Sequence, residues 1–305
     1  MEIHVASMEN ISCWAFRKLM LGATDSYTGV LSMNYLVKRT KAWKEIDTFE
    51  IPNQRQWIQV ATSKETEVKE FLNRLKNQMQ AEPEKNHIYG IQLNASCPSP
   101  NIINLGQGPA LIKRPLKIVS LLLELLKQNK FKVSLKTRLG LNEQEVKQKR
   151  ILDLFAELKK INNSNFTEVV VHFKHAKENS FTNYDYSMLK ELCSFNIPIV
   201  INGGIKNYKD FNDIIKTLTP SERKNIKGFM IGREALKNPD CFIEVSNMLN
   251  KTLFQERGLD GINAEFEELT KEHMPRNIYL NRIKQWCSWD KVETKREERQ
   301  EEKMI

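Results

Sequence analysis

The apolar run Ile91-Gln92-Leu93 ends in Asn94-Ala95-Ser96-Cys97-Pro98, which delivers one thiol to a proline-ended loop. A cysteine placed there can donate a proton, accept one, or attack as a nucleophile. A free cysteine is more often a small buried hydrophobe. The loop position and Pro98 favour function for Cys97, whereas Cys13, Cys193, Cys241 and Cys287 fall in helical patterns and read as packing residues. The five cysteines are odd in number and lack a Cys-x-x-Cys pair, which points to reduced thiols in a cytosol and away from zinc or iron–sulfur chemistry.

Other polar residues close apolar runs in the same manner. Lys136 ends Val133-Ser134-Leu135, an inward-facing place where an ammonium is costly unless it meets an anion or snorkels to solvent. His172 ends a further run, and a neutral imidazole bonding a ligand is the better reading there than a metal pair with His175. No metal is expected. Gly203-Gly204 follows one strand candidate, and Gly232 follows the next, just ahead of a helix. Such loops grip phosphate with bare backbone N–H groups and a helix N-terminus, and Arg233 would add a charge-assisted contact.

These residues need a scaffold that brings strand ends together. Eight short apolar runs alternate with helical patterns: Ile3–Ala6, Tyr27–Leu31, Trp57–Ala61, Tyr89–Leu93, Lys132–Lys136, Glu168–His172, Pro198–Ile201 and Gly228–Ile231. Helical periodicity covers Trp14–Leu21, Lys64–Gln78, Pro115–Lys127, Glu143–Lys160, Tyr186–Cys193 and Tyr208–Thr217, with a less regular crossover near Met33–Lys44. The pattern predicts an α/β fold, a (β/α)8 TIM barrel, rather than a doubly wound sheet, which would carry an early Gly-x-Gly-x-x-Gly. One barrel rim would then collect Met8, Gln59, Asn94, Cys97, Lys136, Arg138, His172, Asn202, Gly203, Gly204, Gly232 and Arg233.

After Asn238-Pro239 only helical character remains, so residues 1–240 read as the barrel and 241–305 as a small all-α domain with a charged, frayed tail. Net charge is +9, and residues 240–305 carry −3, which leaves +12 on residues 1–239. A basic body suits polyanionic partners such as RNA, although a lysine-rich solvated surface would look the same. There is no apolar stretch of bilayer length and no signal-peptide pattern, so a cytoplasmic protein without a membrane partner is expected.

With these residues placed, the chain resembles the tRNA-dihydrouridine synthases. Ala6-Ser7-Met8-Glu9-Asn10-Ile11-Ser12-Cys13-Trp14-Ala15-Phe16-Arg17 is similar to their opening Ala-Pro-Met-Glu-Gly-(Val/Ile)-Thr-Asp-x-x-Phe-Arg. Asn94–Pro98 followed by Gly106–Leu111 resembles Asn-x-x-Cys-Pro and Gly-x-Gly-x-Ala-Leu, and Leu135–Gly140 resembles Val-Lys-(Ile/Thr)-Arg-x-Gly. Val171-His172, Ile201–Ile205 and Met230–Pro239 complete the series in order. The resemblance implies an FMN enzyme, reduced by NADPH, that saturates the C5–C6 bond of a tRNA uridine. It implies that Met8, Gln59, Lys136, His172, Asn202, Gly203, Gly204, Gly232 and Arg233 hold FMN and that Cys97 protonates C5. Asn94 and Arg138 would face the uridine, and Arg282 and Lys284 the tRNA, in a monomeric enzyme.

The chain departs from the family at Ser7, which replaces proline, at Ser12-Cys13 for Thr-Asp, and at Phe173-Lys174 for Gly-Arg. The loop after Cys97 also lacks lysines common in the family. Two rival readings are a dihydroorotate or dihydropyrimidine dehydrogenase, whose Asn-x-Ser-Cys-Pro is similar, and a flavin-barrel protein that only binds RNA. The Gly-Arg-x-Ala-Leu-x-Asn-Pro element at Gly232–Pro239 favours the tRNA enzyme over the first, and retained Cys97, Lys136 and His172 weigh against the second.

Overall fold

Val, Ile and Leu crowd both faces of most strand runs, the pattern of parallel strands covered on each side. A computed structural model of the chain describes residues 1–179, 182–250 and 254–273. Its strands are β1 (Glu2–Val5), β2 (Asp25–Tyr27), β3 (Leu31–Ser32), β4 (Arg55–Ala61), β5 (Ile88–Ala95), β6 (Lys132–Gly140), β7 (Phe166–His175), β8 (Ile199–Asn202) and β9 (Ile226–Ile231). Each pairs in parallel with its neighbour, β1 meets β9, and β2 meets β4, so eight strands close into a barrel. β3 adds only a short rung beside Val60 and Ala61 of β4. With helices between the strands, this is a (β/α)8 TIM barrel.

Two of the differences from the pattern reading are breaks inside an expected element. The second strand run, Tyr27–Leu31, is split between β2 and β3, because Thr28 and Gly29 leave the ladder after the Thr28 N–H donates to the Trp57 carbonyl. The single helix expected over Glu143–Lys160 is two, Glu143–Lys147 and Arg150–Leu158, broken at Lys149 in the left-handed region (φ 52°). Its apolar positions, Val146 and then Ile151, Leu154, Phe155 and Leu158, skip the three-to-four spacing at that break.

The barrel has two apolar regions. A large core lies between strands and helices, and a smaller one fills the lumen with Ala6, Tyr27, Trp57, Val170, Val200 and Met230. Below that layer, at the N-terminal ends of the strands, the lumen is plugged by charge. Arg55 pairs with Glu2 (2.6 Å) and Asp25 (2.5 Å), Lys227 pairs with Glu168 and Glu2, and His4 lies between Glu2 (3.2 Å) and Asp25 (3.6 Å). Above it, at the C-terminal ends, the lumen is lined by amides, a lysine and a histidine.

Beyond the barrel come the helices Cys241–Asn250 and Gly258–His273. Ile262, Phe266 and Leu269 join the core, and the second helix packs on the helix Trp14–Leu19. Arg257 fastens the connection, donating to Asp240 Oδ1 (2.6 Å) and to the Leu19 carbonyl (2.8 Å). Arg282 and Lys284 lie outside the described residues. Among the described residues no helix is long and apolar enough to cross a membrane.

Candidate active site

At the C-terminal mouth of the barrel is a cavity of about 430 Å³. Met8 of the loop after β1, Lys136 and Arg138 of β6, and His172 of β7 line it, as do Asn202-Gly203-Gly204 after β8 and Gly232-Arg233 after β9. Gln59, Asn94 and Cys97 do not line it. They stand beside it, connected through Ser96, which does.

The electrostatics of the cavity are one-sided. Lys136 is buried, and its ammonium has no ion-pair partner among the described residues. Burial, and then the nearby Arg138 charge, pull it down to about 8. Arg138 donates Nε–H to the Ser96 carbonyl at 2.7 Å and is itself lowered to about 10 by burial. Burial, followed by the Arg138 charge, holds His172 well below the usual imidazole range, so it is neutral. Asn202 Nδ2 donates to the Met230 carbonyl (3.0 Å), which leaves Asn202 Oδ1 to accept His172 Nδ1–H (2.9 Å). His172 Nε2 is therefore an acceptor for a ligand O–H or N–H.

Gly203 and Gly204 both sit at positive φ (104° and 71°), where a side chain is strained. The Tyr184 ring also leans on them: a Cβ on Gly203 would lie 2.4 Å from Tyr184 Cε1. The helix after Gly232, Glu234–Lys237, is a single turn, so it brings little of the dipole expected of a helix N-terminus. The groups at this loop that could take an anion are the backbone amides and Arg233. Glycine amides, an arginine, an unpartnered lysine and a neutral acceptor histidine suit a phosphate-bearing ligand with polar edges, and the residues present fit FMN.

Beside the cavity, Asn94 organises the cysteine loop. Its Oδ1 accepts the N–H of Ser96 (2.9 Å) and of Cys97 (2.8 Å), and its Nδ2 donates to Gln59 Oε1 (2.6 Å). Cys97 is half-buried, and burial outweighs the lowering effect of Lys136 and Arg138, so its thiol is raised. At neutral pH it is an acid rather than a thiolate.

Sequence reasoning missed Tyr184, Lys206 and Lys237, which also line the cavity. Tyr184 meets His172 edge-on with ring centroids 5.6 Å apart, and Tyr186 donates its hydroxyl to the Gly203 carbonyl (2.7 Å). The Tyr184-x-Tyr186 spacing in the loop after His172 was the available signal. The departures also find places. Ser7 lines the cavity, and Ser12 Oγ accepts the Met8 N–H (2.8 Å). Cys13 is the cap residue of the helix Trp14–Leu19, and Asp47 Oδ2 takes the Trp14 N–H (2.6 Å). Phe173 is buried in the outer core, and Lys174 lies under the Tyr184 ring (4.3 Å) rather than in the cavity.

Solved structures give the fold alone. Morphinone reductase covers 86% of this chain and 88% of its own at TM-score 0.52 and 9% identity, and a GH18 chitinase from Pseudoalteromonas aurantia reaches 0.50 at 10% identity, covering 82% and 100%. Curated relatives say more. A probable tRNA-dihydrouridine synthase of Helicobacter pylori is 29% identical over 63% of this chain and 53% of its own. The tRNA-dihydrouridine(20) synthase [NAD(P)+] of Schizosaccharomyces pombe is 26% identical over 52% and 32%, and a probable synthase of Staphylococcus aureus is 29% identical over 50% and 44%. The chain thus spans about half the length, or less, of these curated relatives. The family model described as dihydrouridine synthase matches residues 4–293, nearly the whole chain. A match of that extent, over a barrel whose mouth gathers the motif residues, makes this chain a member of the dihydrouridine synthase family.

Proposed function

We propose that this protein is an FMN-dependent tRNA-dihydrouridine synthase that reduces the C5–C6 double bond of a tRNA uridine with electrons from NADPH. The observation that carries the reading is Lys136: a buried ammonium with no anion paired to it among the described residues, in the wall of a cavity that Gly203, Gly204 and Gly232 also line. Bound FMN would supply the hydride to C6. The chain supplies the rest. Cys97, kept protonated by burial, gives its proton to C5, and a proton from solvent restores the thiol. Met8, Lys136, His172, Asn202, Gly203, Gly204, Gly232 and Arg233 hold FMN, with Nε2 of neutral His172 accepting from one of its donors, while Gln59, its amide taken up by Asn94 and Gln92, stands behind the site. Asn94 and Arg138 shape the place of the uracil ring.

The target base must leave its stack to reach a barrel mouth, and a folded tRNA needs a basic surface to dock on. Residues 241–305 serve this reading as a helical tRNA-binding domain, with Arg282 and Lys284 on phosphates, and the enzyme works as a cytoplasmic monomer. The test is purified protein incubated with FMN, NADPH and tRNA that lacks dihydrouridine. Flavin uptake and new dihydrouridine are expected. Cys97→Ala should keep flavin and NADPH oxidation while dihydrouridine formation falls by about 10² to 10⁴. Failure to take up FMN, or full activity of Cys97→Ala, would overturn the reading; turnover of free dihydroorotate without tRNA would assign the chain to the reverse chemistry.

A further inference from the structure

Behind the cysteine loop, a line of buried polar side chains crosses three neighbouring strands. Asn94 Nδ2 donates to Gln59 Oε1 (2.6 Å), Gln59 Nε2 donates to Gln92 Oε1 (2.7 Å), and Gln92 Nε2 donates to Ser134 Oγ (3.0 Å). Gln59 and Gln92 are register partners, as are Gln92 and Ser134, so the line runs straight across β4, β5 and β6. The direction of every amide is set from one end. Asn94 Oδ1 is occupied by the Ser96 and Cys97 N–H groups, so only its NH₂ can face Gln59, and each later amide must follow.

Gln92 and Ser134 are fully buried and do not line the cavity. An apolar residue would fill position 92 without needing partners, since a buried amide is tolerated only when it is hydrogen-bonded. The backbone of Gln59 is held as well, its N–H donating to Thr28 Oγ1 (3.0 Å). Asn94 decides which amide end of Gln59 faces it, and Gln92 supplies the buried acceptor that the other end, Nε2, then requires.

We propose that Gln92, seated on Ser134, is a positioning residue that fixes the Gln59 amide and, through Asn94, holds the Cys97 loop in its proton-donating orientation. The assignment rests on reading Cys97 as the proton donor. Without the Gln92 acceptor, Gln59 Nε2 becomes a buried unpaired donor, and rotating the amide sets NH₂ against the NH₂ of Asn94. Asn94 then turns, and the loop loses the two backbone anchors of Ser96 and Cys97.

Two substitutions separate positioning from packing. Gln92→Met keeps the volume and removes the acceptor. Gln92→Glu keeps it: a protonated carboxyl presents C=O to Gln59 and donates O–H to Ser134, and an ionised one still accepts from both. Alkylation of Cys97 by iodoacetamide, followed on its own peptide by mass spectrometry across pH, reads the thiol without turnover. Gln92→Met should shift that profile toward an ordinary exposed thiol and speed alkylation at neutral pH. At the same time, dihydrouridine formed per flavin reduced should fall by about 10²-fold, the scale of a small misplacement of a reacting group. A damaged protein would move both readouts too, but it would also lose flavin and melt earlier, so the comparison is made at parental flavin content and melting temperature.

Gln92→Glu should stay near the parent in both, although a buried carboxyl packs worse than Met, and Ser134→Ala should move both in the direction of Gln92→Met by less. A parent-like alkylation profile in Gln92→Met and Ser134→Ala, or equal disturbance by Glu and Met, would overturn the proposal. Full activity of Cys97→Ala would instead remove the proton-donor reading, whatever the alkylation profiles show.

Discussion

Asn94 and Lys136 are register partners on the adjacent strands β5 and β6. The amide that ties down the Cys97 loop and the buried ammonium facing the cavity therefore rise from one row of the barrel. A shift of one residue in that pairing would put the two side chains on opposite faces of the sheet. Strand register, more than loop conformation, couples the Cys97 loop to the cavity.

Lys136 places a cost on the empty protein that an anionic ligand would relieve. Its value in the folded chain, lowered by burial and then by Arg138 to about 8, is below the ordinary lysine value. The penalty is therefore complete below that pH and fades as pH rises toward the unfolded value. On the order of 3 kcal/mol is the upper scale for such a displacement. Lys136→Met should raise the melting temperature of FMN-free protein and weaken FMN binding, measured by thermal melting and flavin-fluorescence titration. Unchanged FMN affinity together with an unchanged melting point would mean that the lysine does neither.

Gly203 is constrained twice, by φ of 104° and by the Tyr184 ring. Gly203→Ala should lower stability by roughly 1–3 kcal/mol and impair FMN binding. Adding Tyr184→Ala removes the 2.4 Å contact but leaves the backbone strain, so the double variant should regain only part of the loss. Urea midpoints and FMN titrations of both variants check this; full recovery would show that the ring contact alone matters.

The barrel was legible because the parallel strands carry apolar runs of the right length between helical periods, and because most runs ended near a polar residue at the same rim. What escaped depends on contacts distant in sequence. Tyr184 and Tyr186 lie in a loop without a period, and their place is set by Gly203 and His172. Gln92 alternates with Ile91 and Leu93 as any strand residue could, and its role appears only when β4 and β6 lie beside it. The charged plug draws on the starts of β1, β2, β4 and β9 and on Glu168 in β7, where single Glu, Asp or Lys residues read as ordinary strand ends.

Binding of tRNA should weaken steeply with salt if the +12 carried by residues 1–239 and the cations beyond them meet phosphates. Arg282→Glu with Lys284→Glu should lower affinity and flatten the plot of log Kd against log salt by about 1 to 2 in slope, as expected for losing two phosphate contacts. Filter binding at four salt concentrations measures it. An unchanged slope would move the docking surface to the barrel alone.

The last expectation concerns the closed end of the lumen. Three carboxylates, Glu2, Asp25 and Glu168, face two permanent cations, Arg55 and Lys227, and His4 supplies the third positive charge when protonated. Burial opposes that charge, but Asp25, Glu2 and Glu168 together outweigh it, so His4 is raised above the ordinary imidazole value. Because the folded value exceeds the unfolded one, the stabilisation is complete below about pH 6.5 and is lost as pH rises through the folded value. His4→Gln cannot titrate, so the stability difference between parent and variant should be largest in mild acid and shrink in alkali. Taking that difference cancels the opposite trend from Lys136, which both proteins share. Urea denaturation at pH 6, 7.5 and 9 supplies the numbers. A difference that stays constant across this range would show that His4 is buried neutral and that the plug carries a net negative charge.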